Sequence, residues 1–296
     1  MKLTFLGTSS MVPTKERGHT AILLSYKDEN ILFDCGENVQ RQLRLANISP
    51  TKITKIFISH WHGDHVLGIP GMIQTLGGQG YQKTLEIYGP KKSKTFMKNI
   101  FKAFKLENKI KLKVHEISKG VIINKTEFKI EARPIKHYAN SLAYNFIVKD
   151  RRKININYLK KFGLTKGPII KKLQQGKNIK YNGRLIKAND ATFIKKGKKL
   201  SIILDTKYFP GLVTIAKGAD VLIIESTFLD DLRIKARQRM HLTSKQAAIV
   251  GKNAKVKQLI LTHFSQRYKN EAPLVKEARK IFKNTKAAKD FMEITF

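Results

Sequence analysis

Three histidines and a carboxylate fall in the short stretch Ser59-His60-Trp61-His62-Gly63-Asp64-His65. Imidazole and carboxylate are ligands for zinc-like divalent cations. His60 and His62 are two apart, so a regular helix would turn them to nearly opposite faces. They must sit on extended or irregular backbone. The run Ile53 to Ile58 just before them reads as a buried strand. The picture is a strand that ends in a loop wrapped around metal, with Gly63 marking a special turn. Asp64 and His65 are adjacent and serve two ions more easily than one. A two-metal site, with ions roughly 3.5–4 Å apart, is the natural solution. A chance cluster on a solvated loop would leave this density of ligands unexplained.

Further donors stand singly where apolar runs stop. Asp34 follows Ile31-Leu32-Phe33, and His137 follows a run ending at Lys136. Asp205 follows Leu200 to Leu204, Glu225 follows Val221 to Ile224, and His263 follows Leu259 to Thr262. Ligands at one edge of a sheet sandwich can converge on one pocket, an inference that rests on repeated placement alone. A single histidine after a strand is more often structural, and Asp34 or Asn38 could equally cap the next helix. His241 stands just before a helix that Thr243 or Ser244 would cap.

The elements that must position these groups are legible from periodicity. Lys2 to Leu6, Ala21 to Tyr26 and Leu85 to Tyr88 read as strands. Val66 to Leu76 reads as an apolar helix interrupted at Pro70-Gly71. Phe96, Met97, Ile100, Phe101 and Phe104 recur at helical spacing, which gives an amphipathic helix packed on a sheet. Glu271 to Lys283 reads as a closing helix before a last strand at Phe291 to Phe296.

A chain of 296 residues can bury a sizeable core, as one large domain or a domain with an insertion. The opening apolar stretch stops at Gly7, short of a signal peptide, and no run reaches a membrane span. The cytoplasm is therefore the expected location. Cys35 is the sole cysteine, which excludes an internal disulfide. A formal charge of +36 favours polyanion partners, although abundant lysine, isoleucine and asparagine point partly to compositional bias. Placement is more telling. From Arg151 to Ala188 there is no acidic residue, while lysine and arginine recur and glycine interrupts. A projecting arm of one charge sign suits a phosphate backbone.

The His60–His65 segment resembles the signature of the metallo-β-lactamase superfamily. The other motifs resemble one of its families, ribonuclease Z, over nearly the whole chain. Pro13-Thr14-Lys15-Glu16-Arg17 is similar to that family's Pro-x-Lys-x-Arg-Asn loop, with Gly18 in place of the asparagine. Asp34-Cys35-Gly36-Glu37 with Gln40 matches its Asp-Cys-Gly-Glu-x-x-Gln. Asp205-Thr206 matches the centre of Gly-Asp-Thr-Arg, with Leu204 and Lys207 at the flanks. Leu261-Thr262-His263-Phe264-Ser265-Gln266-Arg267-Tyr268 is the most specific match after the metal loop.

The resemblance implies an α/β fold, an αββα sandwich of two mixed β-sheets with outer helices, plus a protruding basic arm. It implies one domain over 1–296 with a flexible tRNA-binding arm inserted at 151–190. It implies a zinc-dependent endoribonuclease that cuts the 3′ trailer from precursor tRNA and leaves a 3′-hydroxyl. Two Zn2+ per subunit would be held, one by His60, His62 and His137, the other by Asp64, His65 and His263. Asp205 would bridge them, and Asp34 would steady a ligand histidine. Asp64 would serve as general base, and His241, steadied by Glu225, would protonate the leaving ribose oxygen. Lys15, Arg17, Gly167, Pro168, Ser265 and Arg267 would contact RNA. A homodimer is implied, each arm serving the partner's site. The same residues also admit a small-molecule hydrolase or phosphodiesterase of this fold. A third class is an RNA-binding protein with a structural metal, which the surplus of intact ligands argues against.

Overall fold

The computed structural model describes residues 1–106 and 110–296, which fall into two compact units. The larger comprises residues 1–123, 130–146 and 199–296. Its framework is two seven-stranded sheets. In the first, the spatial order is Glu293–Thr295, Lys2–Gly7, Ala21–Tyr26, Glu29–Phe33, Lys55–Phe57, Thr84–Gly89 and Lys111–Glu116. Lys2–Gly7 pairs antiparallel on both sides, and the strands from Glu29–Phe33 to Lys111–Glu116 pair parallel. The second sheet runs Thr285–Ala287, Gln258–Thr262, Val221–Glu225, Lys199–Ile203, Asn140–Val148, Phe128–Lys136 and Gly120–Asn124.

The central strands of both sheets, such as Ala21–Tyr26 and Val221–Glu225, are buried on both faces and read as continuous apolar runs, whereas outer strands such as Lys111–Glu116 alternate and are partly exposed. Within each strand the period of two still sorts side chains. Leu23, Leu32, Ile56 and Ile58 face helices Gly68–Gly78 and Ser93–Ala103, packing with Ile69, Met72, Ile73, Leu76 and Met97. Their neighbours Phe33 and Phe57 turn the other way and meet Tyr144 of the second sheet, at ring separations of 5.8 and 5.1 Å. The Tyr144 hydroxyl donates to the Ile58 carbonyl at 2.6 Å. Behind the second sheet, Ile203, Leu222, Ile224, Leu259 and Leu261 pack on helices Gly211–Ala216, Ser244–Asn253 and Ala272–Arg279. Helix, sheet, sheet, helix is the expected layering.

The apolar helix expected over Val66 to Leu76 is two helices, Gly63–Val66 and Gly68–Gly78, divided at Leu67. Pro70 causes no break. It stands in the first turn of the second helix, where no backbone donor is required. The helix start presses on the turn after Asp34. A Cβ at Gly68 would come within 2.1 Å of the Gly36 carbonyl oxygen.

The smaller unit is residues 124–129 and 147–198, wider than the insertion expected at 151–190. Strands Arg151–Ile154 and Thr192–Lys195 pair antiparallel, and a second hairpin joins Ile179–Tyr181 to Arg184–Ile186. Asn182 and Gly183 take φ of 47° and 74° at its tip, as a tight hairpin turn demands. Leu159, Leu164, Leu173, Ile179, Ile186, Ala188 and Ala191 form a core of its own. These residues are too thinly spaced along the chain to show as a periodic pattern, so this core was not legible in the sequence.

Candidate metal centre

Asp205, Glu225 and His263 leave three adjacent parallel strands at nearly the same level. Ile203 is in register with Ile224, and Glu225 with Thr262. This is the carboxyl edge of a parallel sheet, where α/β proteins place ligands. His137 follows Phe128–Lys136, His60 and His62 lie on coil after Lys55–Phe57, and Asp64 and His65 sit on the single turn Gly63–Val66.

These elements gather two sets of four donors. His60, His62, His137 and Asp205 form one, and Asp64, His65, His263 and Asp205 the other, with ligand atoms of each set within 4.8 Å of one another. Asp205 belongs to both through different oxygens. Its Oδ2 lies 3.7 Å from His60 Nε2 and 3.8 Å from His137 Nε2. Its Oδ1 lies 3.4 Å from His65 Nε2 and 3.1 Å from His263 Nε2.

The rings are aimed from behind. His65 donates from Nδ1 to Asp34 at 2.6 Å, and the same carboxylate accepts from the Ser59 hydroxyl and backbone N–H, each at 2.6 Å. Because that hydroxyl is spent on Asp34, it accepts from His60 Nδ1 at 3.0 Å. His137 Nδ1 donates to the Met240 carbonyl at 3.1 Å. Thr227 donates to Glu225 at 2.7 Å and accepts from His263 Nδ1 at 3.1 Å. Ring nitrogens tied in this way leave Nε2 facing inward, the arrangement found behind metal-ligating histidines. His62 differs, presenting Nδ1 at 3.2 Å from His137 Nε2. The Asp64 carboxylate is fixed by the Met11 N–H at 2.8 Å. Asp34 and His263 adopt left-handed backbone, φ 57° and 60°, a cost borne where the geometry is functional.

The unsatisfied atoms of the donor set call for a cation. His60 Nε2, His65 Nε2 and Asp205 Oδ1 are buried without a hydrogen-bond partner. Native interiors rarely leave such atoms unpaired. A divalent ion in each donor set would satisfy these atoms, so the residues fit metal. Electrostatics agree. Burial, reinforced by the neighbouring His65, holds His60 well below the ordinary histidine value. Burial of Asp205 is outweighed by His263, His65 and His60, which keep it ionised.

His241 stands beside the donors. Its Nδ1 is 3.0 Å from Glu225, whose other contacts are the Thr206 N–H and Thr227. Burial alone would lower this imidazole, but Glu225 overrides it and pushes the group up to about 9. The cluster opens into a cleft of about 650 Å³ that His62, Asp64, His137, Asp205 and His241 share with Ser265 and Arg267.

The family model described as Anti-Pycsar protein Apyc1 matches residues 1–158, the stretch in which His60 to His65 and His137 lie. The second half of the site needs a full-length relative. Ribonuclease Z from Methanothermobacter thermautotrophicus is 40% identical over 295 residues, covering 99% of this chain and 96% of that protein. The chain belongs to the ribonuclease Z family. Ribonuclease Z from Chlamydia muridarum is 38% identical, covering 99% of this chain and 97% of its own length. Among solved structures, the short form of human tRNase Z is 26% identical with a TM-score of 0.73, covering 100% of this chain and 99% of that one. The Bacillus subtilis metallo-β-lactamase fold protein YhfI, at 20% identity and TM-score 0.72, covers 99% of this chain and 98% of its own, and shares the fold.

Within this ribonuclease Z family member, the residues expected on RNA go to different places. Ser265 and Arg267 line the active cleft, the Arg267 guanidinium lying 5.2 Å over the Phe228 ring. Lys15 lines a separate cleft with His19, Glu37 and Asp290. Gly167 and Pro168 are exposed in the smaller unit, just before helix Ile170–Gln174. Arg17 is a correction. It is only 4% exposed and is spent internally, on Glu271 at 3.1 Å and the Tyr268 carbonyl at 2.8 Å. It braces the loop against the segment that carries His263, and its guanidinium is not free for RNA. At the Gly18 departure a Cβ would lie 3.0 Å from Gln42 Nε2, a side-chain end that would have to shift slightly. Sequence reasoning missed Ser59, Thr227 and the Met11 N–H, which aim the ligands, and the cations of 233–239 beside His241. The last had a visible signal in Arg233-Ile234-Lys235-Ala236-Arg237-Gln238-Arg239.

Proposed function

We propose that this chain is a metal-dependent endoribonuclease that removes the 3′ trailer from precursor tRNA and leaves a 3′-hydroxyl on the tRNA. The observation that carries it is the pair of donor sets joined through Asp205, in a chain related over its length to proteins named Ribonuclease Z. Histidine-rich sets with a shared carboxylate favour two zinc ions per subunit, one in each set. Bound there, the ions supply a water that deprotonates near neutral pH and positive charge opposite the phosphate.

The chain's own groups do the rest. Asp64, fixed by the Met11 N–H, is placed to accept the proton of the attacking water. His241, its Nδ1 tied to Glu225, keeps Nε2 for the departing ribose 3′ oxygen and remains protonated at neutral pH. Arg267 and Ser265 sit in the same cleft, where an RNA strand would lie. The smaller unit, basic and without an acid from Arg151 to Ala188, grips the tRNA phosphates away from the cut, with Gly167-Pro168 part of that surface. Lys15, in its neighbouring cleft, contacts the RNA end. The enzyme acts as a homodimer in the cytoplasm. No described helix is long and apolar enough to cross a membrane.

The test is a tRNA bearing a 3′ trailer, incubated with and without a chelator, followed by mapping of the new ends. One chelator-sensitive cut that leaves a 3′-hydroxyl is expected. Failure of the zinc-reconstituted protein to cut, with retained hydrolysis of a small phosphodiester, would replace this reading with the small-molecule one.

A further inference from the structure

Helix Arg233–Gln238 and the residue after it carry four cations, Arg233, Lys235, Arg237 and Arg239, all exposed. Helical spacing sorts them into two pairs, because residues four apart share a face. Lys235 and Arg239 line the cleft that holds His62, Asp64 and Asp205. Arg233 and Arg237 line a second cleft with Lys207, Tyr208, Gln246 and His241. His241 lines both. The helix is thus a ridge with cations on each flank, and His241 stands where the flanks meet.

The second cleft is not a neutral hollow. Arg233 is taken up by Asp230, with contacts of 2.9 and 2.7 Å. Arg237 and Lys207 make no ion pair among the described residues. Two unpaired cations facing one cleft beside an imidazole form a receptor for a phosphate. Tyr208, 38% exposed on the same wall, offers a ring for an adjoining base.

We propose that Lys207 and Arg237 bind the phosphodiester immediately 5′ of the one that is cut. This rests on the tRNA cleavage and His241 role set out above. The side follows from the chemistry. The oxygen that receives the proton from His241 belongs to the upstream ribose, so the upstream nucleotide lies against His241. Its other phosphate then falls into the cleft that His241 shares on the flank away from Asp64. Lys207 offers a point charge and leaves the bidentate contact to Arg237.

The probe is a precursor tRNA carrying one neutral methylphosphonate at that upstream phosphate. Loss of one charged contact costs about tenfold in kcat/KM. Wild type loses the contacts of both Lys207 and Arg237 on the modified RNA and is therefore expected to lose about a hundredfold. Arg237→Ala is expected to lose about tenfold on natural RNA, through KM rather than kcat, and only about tenfold more, the share of Lys207, when the methylphosphonate is added. Arg237→Lys should recover part of the loss. The slope of log(kcat/KM) against log salt should shrink by about 0.7, the value for one single-strand phosphate contact. A methylphosphonate 3′ of the cut should instead penalise wild type and Arg237→Ala equally. A penalty from the upstream modification as large in Arg237→Ala as in wild type would overturn the subsite, as would a wild type indifferent to it. If wild type cuts the tRNA and Arg237→Ala matches it, the subsite alone falls. If wild type does not cut at all, the proposed function falls and takes the subsite with it.

Discussion

The loop from His60 to His65 and the strand tips at Asp205, Glu225 and His263 feed the same cluster by opposite means. The loop crowds its donors onto coil and one short helical turn, and three of the four are aimed by a neighbouring group: Ser59 for His60, Asp34 for His65, Met11 for Asp64. The strand tips supply one group each, and their positions follow from backbone pairing in register. The loop should therefore be sensitive to the loss of its braces. The tips should be sensitive chiefly to loss of the donor itself.

The comparison can be broken first at Asp205, the donor common to both sets. Asp205→Ala should lower kcat/KM by at least about a thousandfold and reduce both bound metals on elemental analysis, whereas His62→Ala should empty one set more than the other. Equal metal content in wild type and Asp205→Ala would end the idea of a shared oxygen. A brace comes next. Asp34→Ala keeps every donor but frees His65, so metal affinity should fall about 10- to 100-fold in a chelator competition. An unchanged affinity would mean that the loop holds itself.

On the strand side, Thr227→Val preserves shape and removes the link between His263 and Glu225. The loss should be about fivefold in kcat/KM, the scale of one net hydrogen bond near 1 kcal/mol, and well below that of Asp34→Ala. The reverse order would show that the tips too depend on braces. The least effect on turnover belongs to Asp290, which accepts from Gly18 N–H and Thr8 at 2.7 Å each. Burial pushes its carboxyl up to about 6, despite those donors. A raised carboxylate favours folding while protonated, so its contribution is complete below about pH 4 and lost as pH rises through about 6. Asp290→Asn should flatten that part of the urea-midpoint profile while leaving hydrolysis of a small phosphodiester intact.

The same contrast explains what could be read in advance. The loop announced itself because four donors lie within a few residues, and the spacing of His60 and His62 already takes that pair off a regular helix, as their coil backbone shows. Asp205, Glu225 and His263 are single residues at strand ends, and only their likeness to family motifs marked them. The layers of the sandwich were legible because doubly buried strands are continuous apolar runs, as in Val221 to Ile224. Arg17 misled because sequence reports a charge but not its burial. The core of the smaller unit was not legible for a related reason: Leu159, Leu173 and Ile186 meet only after the chain has turned several times.

The pairing of Ile203 with Ile224 and of Glu225 with Thr262 has a consequence for how this enzyme can change. Amide-to-carbonyl contacts, indifferent to side-chain identity, act as a gauge that separates the reactive groups. Interior residues such as Ile223 can drift in size, at some loss of stability, without resetting that gauge. Durability and reactivity are then inherited through different parts of the polypeptide, and one can be tuned while the other stands still.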